Sequence, residues 1–217
     1  MIKGIIFDLD GVIVCTDDFH YKAWQKIALE EDIPFDETTN HQLRGISRIA
    51  SLDIILSKAS KTYSPLEKQA LANIKNNYYV TLLNQLSQKD ILPNVMPTLT
   101  KLKKLGYKLA IGSSSKNAKT ILNKLQIIDM FDVIVDGNDI THSKPHPEVF
   151  LKTAERLGLE PIECIVIEDA EAGIEAAIEG HMITFGLGEA SRFTKTHFSL
   201  HNISDILDII NQPMHNR

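Results

Sequence analysis

Short, nearly continuous apolar runs recur along the chain, and polar residues follow most of them. The runs cover residues 2–7, 108–112, 132–136 and 164–167, with 182–185 as a fifth candidate. Runs of this length with consecutive apolar residues are typical of strands that are buried on both faces of a parallel sheet. The pattern therefore predicts a parallel sheet, although it does not fix the order of the strands.

Stretches with apolar residues at helical spacing lie between these runs. They cover residues 118–125, 149–157 and 170–178, with Pro147 at the start of the second and Gly180 as a C-cap after the third. Strands that alternate with helices are typical of an α/β fold in which helices cover both faces of the sheet. We therefore expect a doubly wound, Rossmann-like parallel sheet.

The segment from about residue 17 to residue 87 has no strand-like run. Apolar residues at helical spacing recur there at 20–28, 52–56 and 66–74. We therefore expect an all-helical cap domain, residues 16–87, inserted after the first strand. Residues 1–15 and 88–217 would form the α/β core, and Pro93 and Pro97 mark the return to it.

Composition and charge narrow the possible partners and the location. The 217 residues are 43% hydrophobic, which is ordinary for a globular chain, and the net charge of -5 argues against a nucleic-acid partner. No apolar stretch reaches the ~18 residues of a membrane span, and acidic residues interrupt the N-terminal apolar run too early for a signal peptide. With only two cysteines, we expect a cytoplasmic protein without a membrane partner.

Polar residues with catalytic potential follow four of the predicted strands. They are Asp8 and Asp10 after the first strand, Ser113 after the second, Lys144 after the third, and Glu168 and Asp169 after the fourth. Because the carboxyl ends of parallel strands meet at one edge of a sheet, we expect these side chains to form one site. Clustered carboxylates with few other ligands suit Mg²⁺, which would also relieve their mutual repulsion.

These residue types support phosphoryl transfer. A carboxylate can act as the nucleophile and form an aspartyl-phosphate, and a second carboxylate two residues later can serve as general acid and base. Ser113 and Lys144 supply the donors that a phosphoryl group needs. Glu168 and Asp169 alone would fit a simple helix N-terminus equally well. The occurrence of the whole set in order, each after its own strand, favours the catalytic interpretation.

The four motifs resemble those of the haloacid dehalogenase superfamily of phosphotransferases, and the resemblance covers nearly the whole chain. The motifs are DLDGV at 8–12, Ser113, Lys144-Pro145, and Glu168-Asp169 with Ala172-Gly173. The insertion resembles the helical cap of the subfamily that includes β-phosphoglucomutases. That similarity lies in Thr16, His20 and Trp24, the loop 44–48 with Ser51, the pair Lys75-Asn76, and SSSKN at 113–117.

The resemblance implies a role for each matching residue. Asp8 is expected to be the nucleophile and Asp10 the general acid and base, with Ser113 and Lys144 holding the transferring phosphoryl group. Asp8, Asp10, Glu168 and Asp169 are expected to bind Mg²⁺. Arg48 is expected to bind the phosphate at the far end of the substrate. The full set of expected substrate contacts is Thr16, His20, Trp24, Gly45, Ile46, Ser47, Arg48, Ser51, Lys75, Ser114, Ser115, Lys116 and Asn117.

The activity implied is that of a phosphomutase acting on a small phosphosugar. It would interconvert β-D-glucose 1-phosphate and glucose 6-phosphate through an aspartyl-phosphate enzyme, with glucose 1,6-bisphosphate as activating intermediate. The alternative is a Mg²⁺-dependent phosphatase of small sugar phosphates, because phosphatases of the superfamily also carry the second aspartate. A binding protein with an inactive site is a third class, but every catalytic position is filled.

We expect a monomer, since the core domain can cover the exposed face of the cap.

Two histidines near Lys144 raise a separate question. His142 and His146 are four residues apart, the spacing of many zinc-binding pairs on helices, but Pro145 interrupts any helix between them. The sequence therefore argues against a zinc pair. His146 also stands where many members of the superfamily have a small or acidic residue, which leaves its role open.

Overall fold

A computed structural model describes residues 1–43 and 46–210. Within that part of the chain, six strands form one fully parallel sheet. They are β1 (Gly4–Phe7), β2 (Lys108–Gly112), β3 (Val133–Val135), β4 (Cys164–Glu168), β5 (Ile183–Gly186) and β6 (Phe198–Ser199). The predicted doubly wound α/β fold is confirmed. The last strand, β6, was not predicted.

The order of the strands is β3-β2-β1-β4-β5-β6, so the chain winds outward from β1 first on one side and then on the other. Ile6 of β1 is in register with Ala110 of β2 and with Val166 of β4. The carboxyl end of β1 therefore lies between those of β2 and β4. In an open α/β sheet, this point of reversal is where ligands bind.

Alternate residues of β1 face two different hydrophobic cores, as the two-residue period of a strand requires. Ile5 and Phe7 belong to the larger core, while Ile6 packs on the opposite face with Phe150 and Val166. Helices cover both faces: α5 (Val95–Lys104), α6 (Ala118–Lys124), α7 (Glu148–Leu157), α8 (Glu171–Glu179) and α9 (Ile206–Ile209). Both faces of the sheet are thus buried, which explains the unbroken apolar runs in the sequence.

Between β1 and α5, the described residues form four helices. They are α1 (Asp17–Glu30), α2 (Glu37–His41), α3 (Arg48–Leu56) and α4 (Pro65–Leu82). These helices have a hydrophobic core of their own, which includes Trp24, Ile27, Leu52 and Leu71. The separate core explains why this insertion forms a helical cap, although Ala23 and Tyr79 also pack into the larger core. No helix in the described residues is both long and apolar enough to cross a bilayer.

Local sequence signals fix several helix ends. Helix α4 begins with a capping box, in which Ser64 and Glu67 bond to each other's main-chain amides, and Pro65 occupies its first turn. Helix α7 ends at Gly158, which has a φ of 67°. Helix α8 ends at Gly180, as predicted.

Candidate active site

Three segments that are far apart in sequence meet at the carboxyl end of β1. The ammonium nitrogen of Lys144 lies 2.5 Å from Asp8 Oδ1 and 2.5 Å from Glu168 Oε1. All three side chains are almost completely buried. The Glu168 carboxylate also accepts hydrogen bonds from the main-chain amides of Asp169 and Ala170, at 3.0 and 3.1 Å. The arrangement is a buried cluster of charges, in which Lys144 bridges two carboxylates.

The charges of this cluster are not balanced by the protein alone. Burial raises the pKa of both Glu168 and Asp169 above the usual carboxyl range, and repulsion from Asp8 raises each further. Repulsion from Glu168 adds to the shift of Asp169, while Lys144 opposes both shifts. Burial alone would lower the pKa of Lys144, but the carboxylates of Asp8 and Glu168 more than compensate and raise it. The single positive charge of Lys144 thus faces the carboxyl groups of Asp8, Glu168 and Asp169. A further cation would allow all three carboxyl groups to ionise.

The geometry of the carboxylates fits a divalent cation. Asp8, Glu168 and Asp169 each offer an oxygen, and these oxygens lie within 4.8 Å of one another. Two glycines leave room for them. A Cβ on Gly173 would lie 1.9 Å from Glu168 Oε1, and one on Gly11 would lie 2.0 Å from Asp169 Oδ2. An all-oxygen set of this kind suits Mg²⁺.

Asp10 occupies a different environment from the other acids. It is half-buried and accepts hydrogen bonds from the amide of Thr16, at 2.7 Å, and from the Thr16 hydroxyl. Burial raises the pKa of Asp10 to about 7, and Asp17 and Asp8 contribute, while the Thr16 hydrogen bonds oppose the shift. Its side chain is therefore poised to exchange a proton near neutral pH. Its expected place among the metal ligands stays a prediction.

A cavity of about 980 Å³ lies between the sheet edge and the cap, and most of the predicted site residues line it. From the core these are Asp8, Asp10, Ser113, Ser114, Ser115, Lys116, Asn117, Lys144 and Asp169, and from the cap His20, Trp24, Ile46, Ser47, Arg48, Ser51 and Lys75. Thr16 and Glu168, each 1% exposed, lie behind this surface. The expected substrate contact Gly45, and Arg44 beside it, lie outside the described residues.

The cap wall holds a buried lysine in an aromatic setting. Lys75 Nζ lies 2.8 Å from His20 Nδ1, 4.5 Å from the centre of the Trp24 ring and 4.7 Å from that of Tyr79. Burial lowers the pKa of both Lys75 and His20 well below the usual values. Trp24 is both a core residue of the cap and a support for Lys75.

Tyr79 is a site residue that the sequence did not reveal. Its hydroxyl lies 2.9 Å from the Thr16 hydroxyl, and its ring stands 4.2 Å from that of His20. It therefore connects the cap to the turn that holds Asp10. The available signal was its position four residues after Lys75 on α4, which places both side chains on one helix face.

The first turn of α3 forms the far wall of the cavity. Ser47 caps this helix by accepting a hydrogen bond from the amide of Ala50, and Ser47–Ser51 all line the cavity. Arg48 is the first residue of the helix, and burial lowers its pKa. A helix N-terminus with a guanidinium group favours an anion.

The loop after β2 faces the cap directly. The hydroxyl of Ser113 accepts a hydrogen bond from the amide of Ser115, and that of Ser115 from the amide of Asn117, both at 3.2 Å. The Asn117 side-chain amide then donates to Asn76 Oδ1 of the cap at 2.9 Å. This loop is thus ordered by its own serines and bonded across the cavity.

Comparison with known proteins identifies a family and two similar enzymes. The family model for haloacid dehalogenase-like hydrolases matches residues 2–181. The chain is 42% identical over 207 residues to the β-phosphoglucomutase of Bacillus subtilis, covering 94% of this chain and 92% of that protein. It is 34% identical over 176 residues to the fructose-1-phosphate phosphatase YqaB of Escherichia coli, covering 80% and 90%.

A solved structure is similar to this chain over nearly its whole length. The crystal structure of β-phosphoglucomutase from Clostridium difficile matches with a TM-score of 0.92 and 41% identity, covering 97% of this chain and 96% of that one. The similarity thus extends over the sheet and the helical cap alike. With the family match spanning most of its length, the chain belongs to the haloacid dehalogenase-like hydrolase family.

Proposed function

We propose that this protein is a β-phosphoglucomutase, which interconverts β-D-glucose 1-phosphate and glucose 6-phosphate through glucose 1,6-bisphosphate. The observation that carries the proposal is a single cavity with an anion-binding group on each wall. Lys144 and Ser113 line the core wall together with Asp8, and Arg48 lines the cap wall. A sugar with phosphates at both ends would find a partner at each end, in either orientation. The 42% identity to the Bacillus subtilis enzyme supports the choice of sugar.

The reaction divides between Asp8 and Asp10. The phosphorylated form of Asp8 passes its phosphoryl group to the free hydroxyl of the bound monophosphate, whose proton goes to Asp10. The resulting bisphosphate binds again in the reverse orientation. Asp8 then attacks the other phosphorus, the bond to the sugar oxygen breaks, and Asp10 returns the proton to that oxygen. The enzyme ends the cycle phosphorylated, and the sugar phosphate is isomerised.

The remaining site residues bind and orient. Asp8, Asp10, Glu168 and Asp169 would hold Mg²⁺, which would supply charge neutralisation for the transferring group. Lys144 and Ser113 would hold that group against Asp8. Thr16 keeps Asp10 in place through its two hydrogen bonds. The remaining proposed substrate contacts are His20, Trp24, Ile46, Ser47, Ser51, Lys75, Ser114, Ser115, Lys116 and Asn117.

A second function has its own support. The Escherichia coli relative YqaB, 34% identical, is a fructose-1-phosphate phosphatase. The same Asp8 and Asp10 chemistry would give hydrolysis if water, rather than a sugar hydroxyl, received the phosphoryl group. The bond between Asn117 and Asn76 across the cavity favours the mutase, because a cap held to the core excludes water from the phosphorylated enzyme.

One assay separates the two functions. The protein is incubated with Mg²⁺, β-glucose 1-phosphate and a trace of glucose 1,6-bisphosphate, and glucose 6-phosphate and free phosphate are measured in the same tube. We expect glucose 6-phosphate to accumulate with little free phosphate, and expect the Asp8→Asn variant to form neither. Free phosphate as the main product would establish the phosphatase instead. Sedimentation of the same sample tests the proposed monomer.

A further inference from the structure

Three potential metal ligands meet at the rim of the cavity, outside the carboxylate cluster. One imidazole nitrogen each of His142 and His146 and one carboxylate oxygen of Glu148 lie within 4.8 Å of one another. The two imidazole rings are 4.7 Å apart between centres, and His142 Nδ1 lies 3.2 Å from Glu148 Oε2. Pro145 prevents a helix between the histidines, as expected, but the loop it forms brings the rings together all the same.

The carboxylate of this group is fixed in place and ionised. Glu148 accepts hydrogen bonds from the main-chain amides of Thr141 and His142, at 3.1 and 2.7 Å, and pairs with Lys152 at 2.6 Å. The hydrogen bond from Lys152 and those from the two amides lower the pKa of Glu148 to about 2. Contacts of this kind orient a metal ligand before the metal binds. The two imidazoles, in contrast, are exposed.

We propose that His142, His146 and Glu148 form a binding site for a borderline transition-metal ion such as Zn²⁺, separate from the Mg²⁺ site. Two imidazoles and one carboxylate are a ligand set that zinc accepts and that magnesium disfavours. Metal–ligand bonds of about 2.0–2.1 Å in a tetrahedral site place the ligand atoms about 3.3 Å apart. The 3.2 Å between His142 Nδ1 and Glu148 Oε2 already matches one such edge.

The third ligand needs only a side-chain movement. His146 Nδ1 accepts the amide hydrogen of Glu148 at 3.2 Å, a long contact that the exposed ring exchanges for the metal when it turns. The metal ion would also take the place of the proton in the hydrogen bond between His142 Nδ1 and Glu148 Oε2. Three protein ligands leave one position open to solvent, which is the pattern of an accessible metal site.

The position of the site connects it to the phosphoryl-transfer centre. His142 and His146 bracket Lys144, the residue that pairs with Asp8 and Glu168. Both histidines also line the cavity. A metal bound to both would tie together the two ends of the loop that carries Lys144.

The test measures zinc binding to the intact protein by isothermal titration calorimetry in a large excess of Mg²⁺, which keeps the carboxylate cluster occupied. We expect one Zn²⁺ per chain, at least tenfold weaker binding in either His142→Ala or His146→Ala, and no binding at this stoichiometry in the double variant. His201→Ala removes an exposed histidine elsewhere on the surface and serves as matched control, with binding unchanged.

A second measurement on the unaltered protein guards against variants that fold poorly. Imidazole ¹H–¹⁵N spectra recorded with and without Zn²⁺ report on all eight histidines. We expect two imidazoles, assigned to His142 and His146 through their variants, to shift at one equivalent of zinc. Retention of the zinc stoichiometry in the double variant, or the absence of zinc binding and of imidazole shifts in the unaltered protein, would overturn the proposal.

Discussion

The ammonium nitrogen of Lys144 lies 2.5 Å from Asp8 Oδ1, although 136 residues separate the two in sequence. Lys144 is 3% exposed, and its other carboxylate partner, Glu168, is equally buried. Breaking a buried pair by removing one partner leaves an uncompensated charge, which costs about 3–5 kcal/mol. Lys144 is therefore expected to stabilise the metal-free protein as well as bind the phosphoryl group.

Replacing Lys144 by alanine tests this role. Without Mg²⁺, we expect Lys144→Ala to lower the free energy of unfolding by about 3–5 kcal/mol. Saturating Mg²⁺ restores part of the loss, because the divalent ion replaces the missing charge. Urea unfolding with EDTA and with Mg²⁺ measures both effects. The control is Lys195→Ala, which breaks an exposed pair with Glu175 and is expected to cost at most about 1 kcal/mol. Equal losses in the two variants would contradict the argument.

Gly11 and Gly106 form a matched pair for testing the space around Asp169. Both adopt left-handed backbone, with φ of 79° and 88°. A Cβ on Gly11 would lie 2.0 Å from Asp169 Oδ2, whereas one on Gly106 would meet no described atom within 4 Å. Alanine at either position strains the backbone by about 1–2 kcal/mol. Only Gly11→Ala displaces the Asp169 carboxylate.

We expect Gly11→Ala to raise the Mg²⁺ concentration needed for half-maximal turnover at least tenfold, whereas Gly106→Ala leaves it unchanged. Both variants carry the backbone strain, so the difference between their free energies of unfolding in urea measures the clash with Asp169 alone. A Gly11→Ala variant with normal Mg²⁺ dependence would show that Asp169 is not part of the metal site.

Protons and Mg²⁺ are expected to compete for the carboxylate cluster. Burial raises the pKa of Glu168 and Asp169 in the metal-free folded protein. A raised folded-state pKa means that the folded form holds its protons more tightly than the unfolded chain. These groups therefore stabilise the metal-free fold below the unfolded pKa of about 4, and that stabilisation is lost as pH rises towards the folded values.

Mg²⁺ binding requires the ionised carboxylates, so its effect has the opposite sign. We expect the increase in Tm on adding Mg²⁺ to be small at pH 6 and to grow steadily to pH 9. Thermal unfolding with Mg²⁺ or EDTA at several pH values measures it. In Asp169→Asn one titrating group is gone, and the dependence on pH is expected to flatten. A Mg²⁺ effect that is constant over this range would contradict the competition.

The residues that could be predicted from sequence are those whose position follows from one local pattern. Asp8, Ser113 and Glu168 each end an apolar strand, and parallel strands bring their carboxyl ends to one edge of the sheet. That these three strands are neighbours follows from the strand order, which the sequence did not fix. Strand β6 has only two residues and helix α2 has five. Neither is long enough to show a period. The part played by Tyr79 depends on how α4 packs against α1, which is a tertiary contact.

The core wall of the cavity holds Asp8, which reacts, and the cap wall holds Arg48, which we propose binds the other phosphate. If this residue binds the phosphate that does not react, Arg48→Ala removes a contact needed by a sugar bisphosphate but not by a small phosphoryl donor. We expect mutase turnover to fall at least a hundredfold, while phosphorylation of Asp8 by acetyl phosphate changes less than threefold. Loss of a charge-assisted bidentate contact of about 3 kcal/mol accounts for an effect of this size.

Arg48→Lys serves as the conservative comparison. Lysine keeps the charge but loses the planar fork that matches two phosphate oxygens, so we expect only partial recovery of turnover. Steady-state turnover and acid-quench measurement of the phosphorylated enzyme are made on the same preparations. Because Arg48 begins α3 and lies across the cavity from Asp8, folding and Asp8 chemistry should both survive its removal. Equal losses of turnover and of Asp8 phosphorylation would show that Arg48 acts on the reacting phosphate instead.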